Sequence, residues 1–265
     1  MKMLKRTVSL ALAIVMIACA LTSCDLLLGK DAATIISEAD AALSGAEYTV
    51  NTTVVFTSDD ETMKVAIADI DGTTMTFATK GHTSRSTVAM KVGGVDVRKE
   101  YIISGGVLYY THTETSGEIT DEVKQQVVLS AEEKNEIISD TGVKAPLSYT
   151  DFSNVSVETS GNVSLITCEG IKANASVATS AALRDALGID GAVVIIMDAK
   201  LVVRIVDGKY NGEYLSVSYS IDTGSASYDL RLQLSSEYDL TTSVSILPPQ
   251  DSESYVSVGY FELGK

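Results

Sequence analysis

From Leu215 to Ile221 apolar and serine side chains alternate without a break, with Leu215, Val217, Tyr219 and Ile221 set against Ser216, Ser218 and Ser220. A period of two fits an extended strand with one face buried and one face wet, whereas on a helix it would scatter apolar groups around the axis. A second stretch is as regular: Ala226, Tyr228, Leu230, Leu232 and Leu234 face one way, and Ser227, Asp229, Arg231 and Gln233 the other. The four residues Asp222 to Ser225 between them predict a turn. Upstream, Leu201–Val206 and the residues from Lys209 onward flank Asp207-Gly208, a two-residue hairpin signal. The last third of the chain is therefore expected to be antiparallel, long-stranded sheet with one solvated face.

The first half carries the same signature in shorter pieces. Met63, Val65 and Ile67 stand against Lys64, Ala66 and Ala68, followed by Met75 with Phe77, and by Val88, Met90 and Val92. These read as strands, punctuated by turns at Asp71-Gly72, Gly93-Gly94 and Gly105-Gly106, the last joining Glu100–Ser104 to Val107–Thr113. Helical spacing is found over residues 31 to 44, with Asp31 as the expected N-cap and Gly45 as the stop. Thr120, Asp121 and Glu122 predict a helix start. Ser130 with Glu133 has the spacing of a capping box before a stretch ending at Gly142. Strands are expected to resume at Val155–Glu158 and Val163–Glu169, with a further helix from Ser176 to Leu187 ended by Gly188.

The N-terminus has a different logic. Lys2, Lys5 and Arg6 precede an apolar run from Val8 to Leu21 broken only by Ser9, and then come Leu21, Thr22, Ser23 and Cys24. The run is too short to span a bilayer as a helix and has the form of a secretory signal. Leu21 to Cys24 resembles the lipobox of bacterial lipoproteins. That resemblance implies cleavage before Cys24, acylation of its thiol (a palmitate-type modification), and a lipid-anchored protein on the extracytoplasmic face of a cell membrane. Two acyl chains would hold such an anchor stably. Residues 1–23 then form the signal peptide, 24–30 a short tether, and 31–265 a single domain close to its membrane.

Loss of the signal leaves 17 basic residues against 35 acidic ones, a net charge of −18. A chain this acidic is not attracted to phosphate backbones, which argues against nucleic acid as a partner. Cys19 leaves with the signal and Cys24 carries lipid, so Cys168 remains alone and reads as a buried free thiol. Catalytic signals are thin. Asp222-Thr223-Gly224-Ser225 matches an aspartic-protease string, but no second copy supplies the paired aspartate and a hairpin needs these residues anyway. His82 and His112 stand thirty residues apart without ligand spacing, and Asp69, Asp71 and Gly72 lack the later ligands of a calcium loop. The chain reads as a non-enzyme without cofactor or metal.

The order of elements is similar to the LolA/LolB-like lipoprotein fold, including the mycobacterial LppX/LprG lipoproteins: lipidated cysteine, Ala-rich helix, a strand series from Tyr48, a helical insertion, then longer strands ending near Pro248 and Pro249. The resemblance implies an α+β fold. A strongly curved antiparallel sheet, an incomplete barrel, would carry the N-terminal helix and helical insertions on its concave face. It further implies a monomer that binds or carries a hydrophobic ligand such as lipid acyl chains or a lipoprotein. Met63, Val65, Ile67, Met75, Phe77, Met90 and Val92 would line the cavity, methionine being well suited to variable aliphatic chains. The rival reading is a surface-displayed interaction or sensory domain with a packed core and no such ligand.

Overall fold

A computed structural model describes residues 30–68, 71–130, 133, 147–187, 189, 191–259 and 262–264. The signal, Cys24 and its tether, Asp69, and the stretch leading to Gly142 lie outside the described residues. Three helices and twelve strands follow one another as α1 (Lys30–Leu43), β1 (Tyr48–Thr57), α2 (Glu61–Ile67), β2 (Thr73–Lys80), β3 (Thr83–Val92), β4 (Val95–Ser104), β5 (Val107–Ser116) and β6 (Ile119–Val128), then β7 (Phe152–Ser160), β8 (Val163–Ile171), α3 (Ala173–Leu187), β9 (Val193–Val206), β10 (Lys209–Asp222), β11 (Ser227–Asp239) and β12 (Val256–Ser257).

All twelve strands join one sheet in the order β12-β6-β5-β4-β3-β2-β1-β11-β10-β9-β8-β7. Two meanders, β2 to β6 and β7 to β11, are stitched together by β1, which pairs with β2 on one side and β11 on the other. The hairpin turns at Gly93-Gly94, Gly105-Gly106 and Asp207-Gly208 fall where the sequence places them, whereas Asp71-Gly72 joins α2 to β2. Asp207 at φ 52° and Gly208 at φ 72° make the two-residue turn between β9 and β10, a geometry with both central residues at positive φ that suits the right-handed twist of the flanking strands. Asp222 accepts from the Gly224 backbone N–H at 2.7 Å, so the protease-like string is a turn.

The expected fold class does not hold. The sheet is open and mixed rather than an antiparallel incomplete barrel, because β12 pairs parallel to β6, and only three helices are present among the described residues. Two local readings contributed to the error. Met63, Val65 and Ile67 belong to helix α2, not to a strand: the Asp60 carboxylate accepts from the N–H groups of Thr62 and Met63 at 2.8 and 3.0 Å and so nucleates a helical turn. Thr120, Asp121 and Glu122 begin no helix; they belong to β6, which pairs along its whole length with β5, long-range ladder bonds overriding a local cap signal. The capping box of Ser130 and Glu133 does form, with reciprocal contacts of 2.8 and 3.2 Å.

Helix α1 buries Ala32, Ile36 and Ala39 and α3 buries Ala175 and Leu183, all in one core cluster with Val54, Phe56, Ile166, Cys168, Leu201, Val217 and Tyr219 on the same sheet face. At the far end of α1, Tyr210 donates from its hydroxyl to Asp40 at 2.9 Å, tying the helix to β10. Helix α3 packs on β9, whose pairing with β8 runs from Val206 to Lys200.

The chain after β11 was not anticipated. It crosses the outer face, burying Val244 and Ile246 against Ile102 with Ala78 and Tyr109, and is held by Glu47, which accepts from Ser243, from the Val244 N–H and from Lys80. Further on, Asp251 pairs with Lys124 at 2.7 Å and the Tyr255 hydroxyl meets Thr111 at 2.6 Å. After β12 the chain turns onto the core face, where Val258 and Leu263 pack against Ile103, Leu108, Val127 and Leu129. No described helix is long and apolar enough to cross a membrane.

Candidate functional site

Of the seven residues expected to line a cavity, Met63, Ile67, Met75, Phe77 and Met90 are each less than a tenth exposed. Met63, Ile67, Met75 and Met90 share the main core cluster with Ile36 and Phe56, and Val92 packs against it. Val65 is 77% exposed, since in a helix it points away from the face that Met63 and Ile67 bury. A residue on the wall of an open cavity leaves one side uncovered, so these side chains are placed as core. Cys168 is fully buried, and desolvation pushes its thiol up to about 12, the environment of an inert cysteine. His82 lies in the turn between β2 and β3, while His112 lies within β5; the two do not form a site together.

The structure brings together two groups of residues that sequence reasoning did not connect. The first is a groove of about 490 Å³ lined by Asp71, Gly72, Thr74, Ala89, Lys91, Asp96, Arg98, Thr113 and Thr115 together with Met90 and Val97. The register explains the set. Thr74 pairs with Ala89, Ala89 with Arg98, and Arg98 with Thr113, so four strands each contribute alternate residues to one surface. Lys91 and Asp96 sit 3.4 Å apart across the β3–β4 hairpin, and Arg98 reaches Glu100, which also holds Arg85 at 2.6 Å. The lining mixes threonine hydroxyls and paired charges of both signs with a larger share of apolar surface, suited to a protein surface.

The second group lies on the core face of β4 and β5, where Lys99 pairs with His112 and Tyr101 with Tyr110. Lys99 is 4% exposed, and its basicity is lowered chiefly by desolvation, with Glu114 acting in the opposite sense. His112 Nε2 stands 3.2 Å from Glu114 Oε1 but out of line for a hydrogen bond, and that nitrogen is buried without another partner. The His112 pKa is lowered, first by desolvation and then by the Lys99 charge. The tyrosine rings tilt against each other with centroids 5.0 Å apart. The pattern at these positions, Lys99-x-Tyr101 opposite Tyr110-x-His112-x-Glu114, is a polar period of two on the side that should be core. Only the register between β4 and β5 reveals that the two halves adjoin.

Comparison with known proteins adds no family. No family model matches the chain, and no curated protein does. Among solved structures, the ywiB protein from Bacillus subtilis is 10% identical over 72% of this chain and 91% of that one, with a TM-score of 0.17. An inactive mutant of the CurJ dehydratase, in complex with a small compound, is 8% identical over 78% of this chain and 80% of its own, with a TM-score of 0.13. Neither likeness is close enough to carry an argument about fold or activity.

Proposed function

We propose that this chain is a membrane-anchored lipoprotein, held by acylated Cys24, whose domain is a surface-displayed interaction or sensory module rather than a carrier of acyl chains or an enzyme. One observation carries the choice between carrier and interaction module. The methionines and aliphatic residues that a lipid cavity would need are spent in packing α1, α2 and the sheet together, while the groove sets Lys91, Asp96 and Arg98 beside apolar surface, a mixed lining of the kind protein interfaces carry. The anchor rests on the lipobox-like Leu21 to Cys24 and on the few residues between Cys24 and α1, which would hold the domain close to the bilayer.

Native mass spectrometry of the full chain, released from detergent after exposure to bacterial lipids, tests the reading. Protein carrying only its covalent anchor is the expected result. A stoichiometric non-covalent lipid that survives release would overturn the packed-core reading in favour of lipid carriage. Intact mass of wild type against Cys24→Ser tests the anchor separately: the wild type should be cleaved and heavier by the acyl groups, and Cys24→Ser should carry none.

A further inference from the structure

We propose that the core face of β4 and β5 is a binding site for a small organic anion, a carboxylate with a short apolar end, with Lys99 as its counter-ion. Lys99 is buried, yet it has no hydrogen-bond or ion-pair partner among the described residues; the Glu114 carboxylate acts on it only through space and stands 3.2 Å from His112 Nε2. The side chain is almost wholly desolvated, and an ammonium so placed without a protein acceptor is held at a cost. An entering carboxylate supplies the missing acceptor. Beside it, the hydroxyls of Tyr101 and Tyr110 have no hydrogen-bond partner among the described residues, and His112 Nε2 is buried and misaligned with its only neighbour. These groups converge because Lys99 pairs with His112 and Tyr101 with Tyr110 on one face.

The apolar end of the ligand is argued from the same register. Tyr101, only partly buried, lies two residues beyond Lys99 on the same face, and Val123 on β6 pairs with His112. Access follows from β6, where Val123 pairs with His112 but is 47% exposed, so the face opens to solvent one strand away. The surplus of donors over acceptors selects an anion over a cation, and the Lys99 ammonium, which Glu114 influences only through space, selects it over a neutral polar molecule. The inference needs neither the lipid anchor nor the groove.

Thermal unfolding of the full chain in a non-ionic detergent, with hexanoate, 1-hexanol or sodium chloride at matched ionic strength, provides the test. Hexanoate at about ten times its Kd should raise the wild-type midpoint by about 4 °C, while Lys99→Met shows no rise and 1-hexanol gives none in either protein. No rise in the wild type, an equal rise in Lys99→Met, or an equal rise with 1-hexanol would overturn the site. Should Lys99→Met fail to fold, side-chain NMR of the wild type decides. Hexanoate shifting the Lys99 titration upward supports the proposal, and an unchanged titration overturns it.

Discussion

Lys99 shows how a single side chain can carry both a cost and an opportunity. Burial lowers its basicity, so between that lowered value and the ordinary one near 10.5 the unfolded chain binds more protons than the folded one. Stability from this group therefore rises as pH climbs through that interval. Replacing a buried charge by an apolar residue of similar length is often stabilising. Lys99→Met is expected to gain on the order of 1 kcal/mol at neutral pH and to lose the alkaline rise, as read by urea denaturation at several pH values. His112 has the same sign at lower pH: its folded pKa lies below the ordinary 6.5, so the folded state resists protonation and stability falls as pH drops through that region. Histidine 112 replaced by glutamine should flatten this limb. Cys168, buried with its thiol raised to about 12, should resist alkylation in the native protein and react at the rate of a free thiol in urea; fast native labelling would contradict the burial.

At the scale of elements, helix α2 depends on one carboxylate. Asp60 satisfies two N–H groups at its N-terminus, which a seven-residue helix cannot satisfy internally. Asp60→Ala is expected to cost about 1 kcal/mol and, by loosening Met63 and Ile67, to raise amide exchange in the adjoining β1. An unchanged midpoint in urea would show that packing alone holds the helix. The segment after β11 depends likewise on Glu47. Hydrogen bonding to Lys80, the Val244 backbone and Ser243 lowers the Glu47 pKa, so this tie is present above the ordinary carboxylate range and is lost as pH falls through the lowered value. Hydrogen exchange should therefore show residues 243–246 protected at pH 7 and more open in Glu47→Gln, with the rest of the sheet unchanged.

Across the whole molecule, the two meanders meet at the β1–β11 ladder, which runs from Thr49↔Asp239 to Thr57↔Arg231. The core cluster is seated around it and the long strands β9 to β11, so opening this region amounts to global unfolding. The slowest amides are expected in β1, β10 and β11, and the fastest at the two ends of the sheet, β7 and β12. Slowest exchange in β5 and β6 instead would place the stable centre in the other meander.

The strands, helix and turns legible in the chain are those whose signals are local: the alternation of Leu215 to Ile221, the Asp207-Gly208 turn, and the helical spacing of Ile36, Ala39 and Leu43, although the structure buries Ala32 where the spacing pointed to Ala33. The sequence misplaced Met63 to Ile67, because a short apolar run has no decisive period and the cap at Asp60 settled it. It misread Thr120 to Glu122, because pairing with β5 outweighed a cap signal. Tertiary structure alone decided which strands neighbour one another, that β1 joins the first meander to the last, and that the sheet stays open and mixed. It alone set Lys99 opposite His112 and laid Thr74, Ala89, Arg98 and Thr113 side by side. Those juxtapositions depend on register between strands, which is fixed by the summed burial of many side chains and leaves no local mark in the chain.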